Sequence, residues 1–302
     1  MEFQSSFTNK INEIEEVLKS YLPEEKGFQK TIFEACNYSL LAGGKRIRPL
    51  LMKEIYTLFG GNDEKDIAPF MAAIEMIHTS SLVHDDLPCM DNDEYRRGRK
   101  TTWVVSGYDM AVLTGDALLT YAFEVASKAF TTTKNPALVG QAIGVLANKT
   151  GIFGMIGGQT VDVELTNKQV SREQLDFIYR LKTGALLEAS MMIGAILAGA
   201  KEDEVYEIEK IAGNIGMAFQ IRDDILDLTS STEVLGKPVL SDEKNNKTTY
   251  VTFEGLEKST VDVEQLSNSA IESLKDLWIK NNASSDNDFL IQLVEFLITR
   301  EK

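Results

Sequence analysis

Two short acidic segments carry the densest potential chemistry in the chain. The first reads HDDLPCMDNDE and holds Asp85, Asp86, Asp91 and Asp93; the second reads DDILD and holds Asp223, Asp224 and Asp227. Asp85 and Asp91 are six positions apart, which is ~240° around an ideal helix, so an unbroken helix keeps them on different faces. Pro88 opposes regular hydrogen bonding just after the pair. A helix that ends near Asp86 and then turns would bring Asp91 back beside Asp85. Asp223 and Asp227 are four apart and project from one helix face, with Cβ atoms ~6 Å or less apart. Carboxylates packed this tightly repel unless a divalent cation sits among them. All-oxygen ligands suit Mg²⁺, which keeps waters and bridges to substrate phosphate. Neither segment has the alternating acidic loop and glycine of an EF-hand.

The cations are grouped as well. GGKRIRP at 43–49 brings Lys45 and Arg48 within about one helical turn beside Gly43 and Gly44, and RRGRK at 96–100 follows the first acidic segment. Arginine suits bidentate contact with phosphate. GGKR is not a Walker-type phosphate loop, because Arg46 stands where Ser or Thr should follow Lys45. The only histidines are His78 and His84. There is no Ser/His/Asp array and no Cys/His metal spacing, so metal and diphosphate chemistry fits better than acid–base work by a histidine.

Helical periodicity supplies the scaffold. From Asp66, a plausible N-cap, apolar residues recur at Ile67, Phe70, Met71, Ile74, Ile77 and Leu82, with Pro69 in the first turn. Similar spacing runs through Ala111 to Ala126, Leu175 to Ala200, Val205 to Leu226 and Phe289 to Ile298. Breaks fall at Phe59 to Asp63, at TTTKNP (131–136), through Leu228 to Asn246 and at NNASSDND (281–288). No series of alternating β-branched runs appears, and Trp103 to Val105 is too isolated to argue for a sheet. The stretch Gly184 to Ala200 is interrupted by Glu188 and falls short of the ~20 apolar residues of a membrane span, so it predicts a buried helix. The expected fold is one all-α domain over residues 1–302, a large helical bundle.

The chain has 302 residues, 43% of them hydrophobic, and 46 acidic against 31 basic side chains for a net charge of −15. That size permits a large core. The charge argues against binding nucleic acid or an anionic membrane, since either adds repulsion. Cys36 and Cys89 are the only cysteines and form no disulfide framework, which predicts a reducing cytoplasm. The polar, acidic start lacks the basic and apolar regions of a secretory signal.

GGKRIRP, EMIHTSSLVHDDLPCMDNDEYRRGR, GDALL, GGQTVDVE, KTGALLEAS, FQIRDDILD and LGKPVLSDEKNNKTTY occur in this order. Together, from about Leu41 to Tyr250, they resemble the bacterial short-chain polyprenyl synthases, which include farnesyl and geranylgeranyl diphosphate synthases. The four residues between Asp86 and Asp91 match the longer form of that family's first aspartate motif. The resemblance implies a helical bundle around a deep central cavity (the isoprenoid synthase fold), a homodimer and three Mg²⁺ ions per active site. It implies that Asp85, Asp86, Asp91, Asp223 and Asp227 hold Mg²⁺ on an allylic diphosphate, with Asp224 in the same catalytic motif. Arg96, Lys182 and Lys237 would hold that diphosphate, with Lys247 nearby, and Lys45, Arg48, His78 and Arg97 would bind isopentenyl diphosphate. Thr183 and Gln220 would line the carbocation path, and Gln159 and Asp162 would stand in the active-site wall. The polar segment Ser230 to Lys247 would act as a lid that excludes water.

Chain length in this family is set below the first aspartates. Ser81 and Ser80 lie four and five positions before Asp85, ~6 to 7.5 Å down a helix. Farnesyl synthases of this type commonly have an aromatic residue at the Ser80 position. Its absence favours a C20 product over C15, with Ile77 and Ile74 further down as the next limit. A terpene cyclase would share the fold, but its second metal site normally mixes Asp with Asn, Ser/Thr and Glu. A non-catalytic partner subunit typically loses one aspartate motif, and both are present here.

Overall fold

The computed structural model describes residues 2–229, 248–281 and 288–299. The described residues are overwhelmingly helical and group into two compact units, one of residues 1–53 and 62–143, the other of residues 54–61 and 144–302. Each has its own buried core.

The first unit contains α1 (Glu2–Ser20), α2 (Lys30–Leu40), α4 (Glu64–Asp85), α5 (Thr102–Ser106) and α6 (Tyr108–Ser127), with the start of α3 (Ile47–Leu58). α4 is its centre. Phe70, Met71, Ala72, Ala73, Ile74, Met76 and Ile77 are all buried, so α4 is apolar nearly all round and is packed on more than one side. Its principal neighbour is α6. α4 starts two residues earlier than Asp66 predicts, because Asp63 is the N-cap and accepts from the Lys65 N–H at 3.0 Å. Pro69 therefore sits in the second turn. The isolated run Trp103 to Val105 is part of α5, held by backbone bonds from Val104 and Val105 to the Thr101 carbonyl.

One element escapes sequence patterning altogether. RRGRK forms a hairpin of β1 (Tyr95–Arg96) and β2 (Arg99–Lys100), in which Arg96 pairs with Arg99. Arg97 and Gly98 both have positive φ, 53° and 73°, the backbone of a tight primed turn. Two-residue strands are too short to show any alternation.

The second unit is built on α10 (Ala185–Leu197) and α11 (Glu202–Thr229). Every one of the thirteen residues of α10 is buried, as the apolar run predicts. The periodic stretch Leu175 to Ala200 is not one helix, however. It comprises α9 (Arg172–Ile178), a π-helical turn over Tyr179–Gly184, and α10. α8 (Met155–Glu164), α12 (Tyr250–Glu254), α13 (Leu256–Lys280) and α14 (Asp288–Thr299) complete the unit, and α7 (Pro136–Thr150) runs into it. Inside it, Lys149 joins the buried Glu188 of α10 to Glu209 of α11, the latter at 2.6 Å. No helix among the described residues is long and apolar enough to cross a membrane.

Candidate active site

The turn after α4 forms as Pro88 and the spacing of the aspartates predict. α4 stops at Asp85, the Met90 and Asn92 N–H groups bond to the Leu87 carbonyl, and the Asp91 N–H returns to the Asp85 carbonyl at 2.8 Å. Asp91 is thereby placed beside Asp85. The preceding His84 has its own seat. Its Nε2 lies 3.2 Å from the Val112 carbonyl and 3.7 Å from Asp116, and a Cβ on Gly115 would meet that nitrogen at 2.0 Å. The Gly-Asp of GDALL thus makes room for the end of α4.

Asp86 is buried and pairs with Arg96 at 2.6 Å. Burial pushes its carboxyl up to about 6, with Asp93 and Asp85 adding repulsion and Arg96 working against the rise. The acidic surplus around a single arginine is the electrostatic state that a divalent cation relieves.

Beside this turn lies a cationic group held by a buried hub. Arg46, at φ 47°, has a fully buried side chain that reaches Glu15 of α1 at 2.7 Å, Glu75 of α4 at 2.8 Å and the Leu40 carbonyl at 2.7 Å. Burial opposes its charge, but Glu75 and Glu15 hold the guanidinium ionised. The hub fixes the loop before α3, so Lys45 lies outside the helix and only Arg48 is in its first turn. Arg97 closes over this loop. It donates to the Gly43 carbonyl, and its guanidinium would lie 2.7 Å from a Cβ on Gly44, whose φ is 138°. Only glycine suits both demands.

Arg48 has its Nε buried without a hydrogen-bond partner, and desolvation brings its pKa down to about 10, against the attraction of Glu75. His78, half-buried one turn after Glu75, is held well below its ordinary 6.5 by desolvation and by Arg48, Arg97, Arg46 and Arg96. Several cations thus share one buried carboxylate, a surplus of positive charge that suits an anion.

The histidine has a measurable consequence for stability. A depressed His78 stays neutral in the fold while the unfolded chain takes up a proton below about pH 6.5, so this contribution is lost as pH falls. Asp86 has the opposite sign, because its carboxyl is raised, and favours the fold as pH falls below about 6. In Tm measured against pH, H78N is therefore expected to lose less stability than the parent between pH 6.5 and 5. Parallel curves would contradict the depressed histidine.

In the second unit a cavity of about 120 Å³ is lined by Asp162, Lys182, Thr183, Gln220, Asp224 and Thr249, among others. Lys182 and Thr183 lie in the π-helical turn, whose widened backbone re-aims side chains. Two glycines let it pack. A Cβ on Gly158 would strike the Lys182 nitrogen at 2.3 Å, and one on Gly216 would come within 2.9 Å of the Gly184 Cα. Lys182 Nζ bonds to Asp162 at 2.6 Å, and Thr183 Oγ1 donates to Gln220 Oε1 at 2.9 Å. On α11, Asp223, Asp224 and Asp227 occupy one continuous helix, with Asp227 buried.

The chain matches the Polyprenyl synthetase family over residues 29–279. The chain belongs to the polyprenyl synthetase family. It is 44% identical over 290 residues to the geranylgeranyl diphosphate synthase of Cyanophora paradoxa, covering 95% of this chain and 93% of that protein. It is 45% identical over 277 residues to a chloroplastic heterodimeric geranylgeranyl pyrophosphate synthase large subunit of Arabidopsis thaliana, covering 90% and 74%. Among solved structures it resembles an FPP/GFPP synthase from Zymomonas mobilis, with TM-score 0.85, 31% identity and 99% of each chain covered. A geranyltransferase from Helicobacter pylori complexed with magnesium and isoprenyl diphosphate gives TM-score 0.82 and 30% identity, covering 99% and 97%.

In this polyprenyl synthetase the sequence-predicted residues fall into the two units as described, and Lys237, Lys247 and the segment Ser230 to Lys247 lie outside the described residues. Gln159 is on α8 and half-exposed. Ser80 is buried, with its hydroxyl on the Ile77 carbonyl at 2.8 Å; Ser81 makes the same bond to His78, and Ile77 is fully buried. Among the described residues, no three His, Cys, Asp or Glu side chains lie together closely enough to hold a metal ion. Sequence patterning missed Arg46, Glu75, Tyr179 and Gly158 as parts of the machinery. Only the neighbouring motif letters flagged them.

Proposed function

We propose that this prenyltransferase is a short-chain all-trans synthase that condenses isopentenyl diphosphate with an allylic diphosphate to give geranylgeranyl diphosphate. The reading is carried by the arginine and histidine group around Glu75, adjacent to the Asp85–Asp91 turn. The aspartates with Arg96 and Lys182 would serve one diphosphate; a second anion site calls for a second. The names of the geranylgeranyl diphosphate synthase relatives and the small Ser80 favour C20 over farnesyl diphosphate.

Asp85, Asp86, Asp91, Asp223 and Asp227 would hold the Mg²⁺ ions, three in our reading. Magnesium supplies charge neutralisation of the departing diphosphate. Arg96 and Lys182 are already paired with Asp86 and Asp162, so they are held ready and exchange or share partners when the allylic diphosphate arrives. Lys237 and Lys247 add to the same charge. Lys45, Arg48, His78 and Arg97 orient isopentenyl diphosphate, whose double bond attacks the allylic cation. Thr183 and Gln220 face that cation with oxygen atoms, and Gln159 and Asp162 close the wall. A proton then leaves to the released diphosphate, so no protein base is required. Both units belong to one prenyltransferase domain in a homodimeric enzyme. Free Cys36 and Cys89 support a reducing cytoplasm.

Thermal shift with Mg²⁺ and an inert allylic diphosphate analogue tests the reading: joint stabilisation is expected, and none would leave an acidic scaffold. For chain length, S80Y is expected to shift the product toward C15, since an aromatic ring blocks a growing chain. An unchanged product distribution would remove Ser80 from the account.

A further inference from the structure

Around the cavity of the second unit, Tyr179, Thr183, Gln220 and Asp224 are linked by hydrogen bonds that none of the proposed metal or diphosphate roles uses. Tyr179 opens the π-helical turn and is buried. Its hydroxyl donates to Asp224 Oδ2 at 2.5 Å, and the Tyr250 N–H at the start of α12 donates to the same oxygen at 3.0 Å. Asp224 Oδ1 receives the Gln220 amide nitrogen at 3.4 Å. Gln220 Oε1 in turn receives the Thr183 hydroxyl at 2.9 Å. Tyr179 and Thr183 are four apart on the turn, and Gln220 and Asp224 are four apart on α11, so the set has two rungs between two elements.

The direction of donation matters. A carboxylate accepts only, so Asp224 obliges Gln220 to present its NH₂ toward α11 and its carbonyl toward Thr183. Thr183 must then donate, and its lone pairs are left to the cavity that Thr183 and Gln220 line. With the amide reversed, Thr183 would accept, and its O–H would turn its positive end outward, the wrong polarity for a developing cation.

We propose that Tyr179 and Asp224 are positioning residues that lock the Gln220 amide and, through it, aim the lone pairs of Thr183 at the allylic cation. The proposal rests on the reading that Thr183 and Gln220 face the reacting group. The hydroxyl of Tyr179 and the Tyr250 N–H hold Asp224 still, and the glycines at 158 and 216 keep the π turn close enough for both rungs to form.

Y179F deletes one hydroxyl, and D224N lets the amide flip while keeping an acceptor for Tyr179 and Tyr250. In steady-state assays with isopentenyl and allylic diphosphates, both are expected to lower kcat about tenfold with KM values and the Mg²⁺ dependence unchanged. More of the turned-over allylic diphosphate is expected to emerge as alcohol rather than elongated product. The double variant Y179F/T183A is expected to lose no more than T183A alone, because Tyr179 acts through Thr183. Multiplicative losses, or a lower kcat with an unchanged alcohol fraction, would reduce Tyr179 to a structural support. If Y179F does not fold, D224N alone carries the test through its alcohol fraction and Mg²⁺ titration. An inactive parent enzyme would instead overturn the proposed reaction itself.

Discussion

D85N is expected to lower kcat/KM by at least about a hundredfold while leaving the ligand-free Tm unchanged or slightly raised. The two effects come from one cause. Asp85 adds repulsion to the buried Asp86, whose carboxyl already stands at about 6, so removing its charge relieves the ligand-free fold. In the proposed mechanism the same charge would hold magnesium on the leaving diphosphate. Stability given up for function in this way is common at active sites. The check is a pair of measurements on one preparation: melting without ligands and initial rates at saturating Mg²⁺. An enzyme that keeps its rate, or a variant whose rate loss simply follows a fall in Tm, would contradict a metal role for Asp85.

R46M is expected to cost about 3–5 kcal/mol of stability, because it removes the guanidinium that is hydrogen-bonded to the buried Glu75. Arg46 has no exposed side-chain surface and Glu75 almost none, so solvent does little to screen the loss. Urea unfolding measures it. The double variant R46M/E75Q is expected to recover much of the loss, since it removes the stranded charge as well. Equal destabilisation in single and double variants would show that Arg46 acts through packing and its bond to the Leu40 carbonyl. Because Arg46 fixes the loop carrying Lys45 and Arg48, R46M is also expected to raise the KM for isopentenyl diphosphate more than that for the allylic partner.

The sequence shows some of this directly. A six-residue spacing with an intervening proline is enough to predict that α4 ends at the aspartates and that Asp91 folds back, because both follow from local backbone sterics. Long apolar periodicity likewise predicts α6, α10, α11 and α14. What depends on tertiary partners does not show. The π turn at Tyr179–Gly184 adds a fraction of a residue per turn over a single turn, too little to disturb a 3.6-residue pattern, and it persists because Gly158 and Gly216 admit it. Arg46 reads as one more cation in a basic run, and only α1 and α4 together reveal it as a buried hub. Lys45 and Arg48 look like neighbours on a helix, yet the positive φ at Arg46 puts Lys45 in the loop. The hairpin at Tyr95–Lys100 is shorter than any periodicity can register.

Incubating the protein with Mg²⁺, isopentenyl diphosphate and each allylic starter, then measuring product chain length, tests the central claim most directly. Elongation ending mainly at C20 is the predicted result. No elongation from any starter would contradict a synthase and leave the scaffold of a non-catalytic subunit.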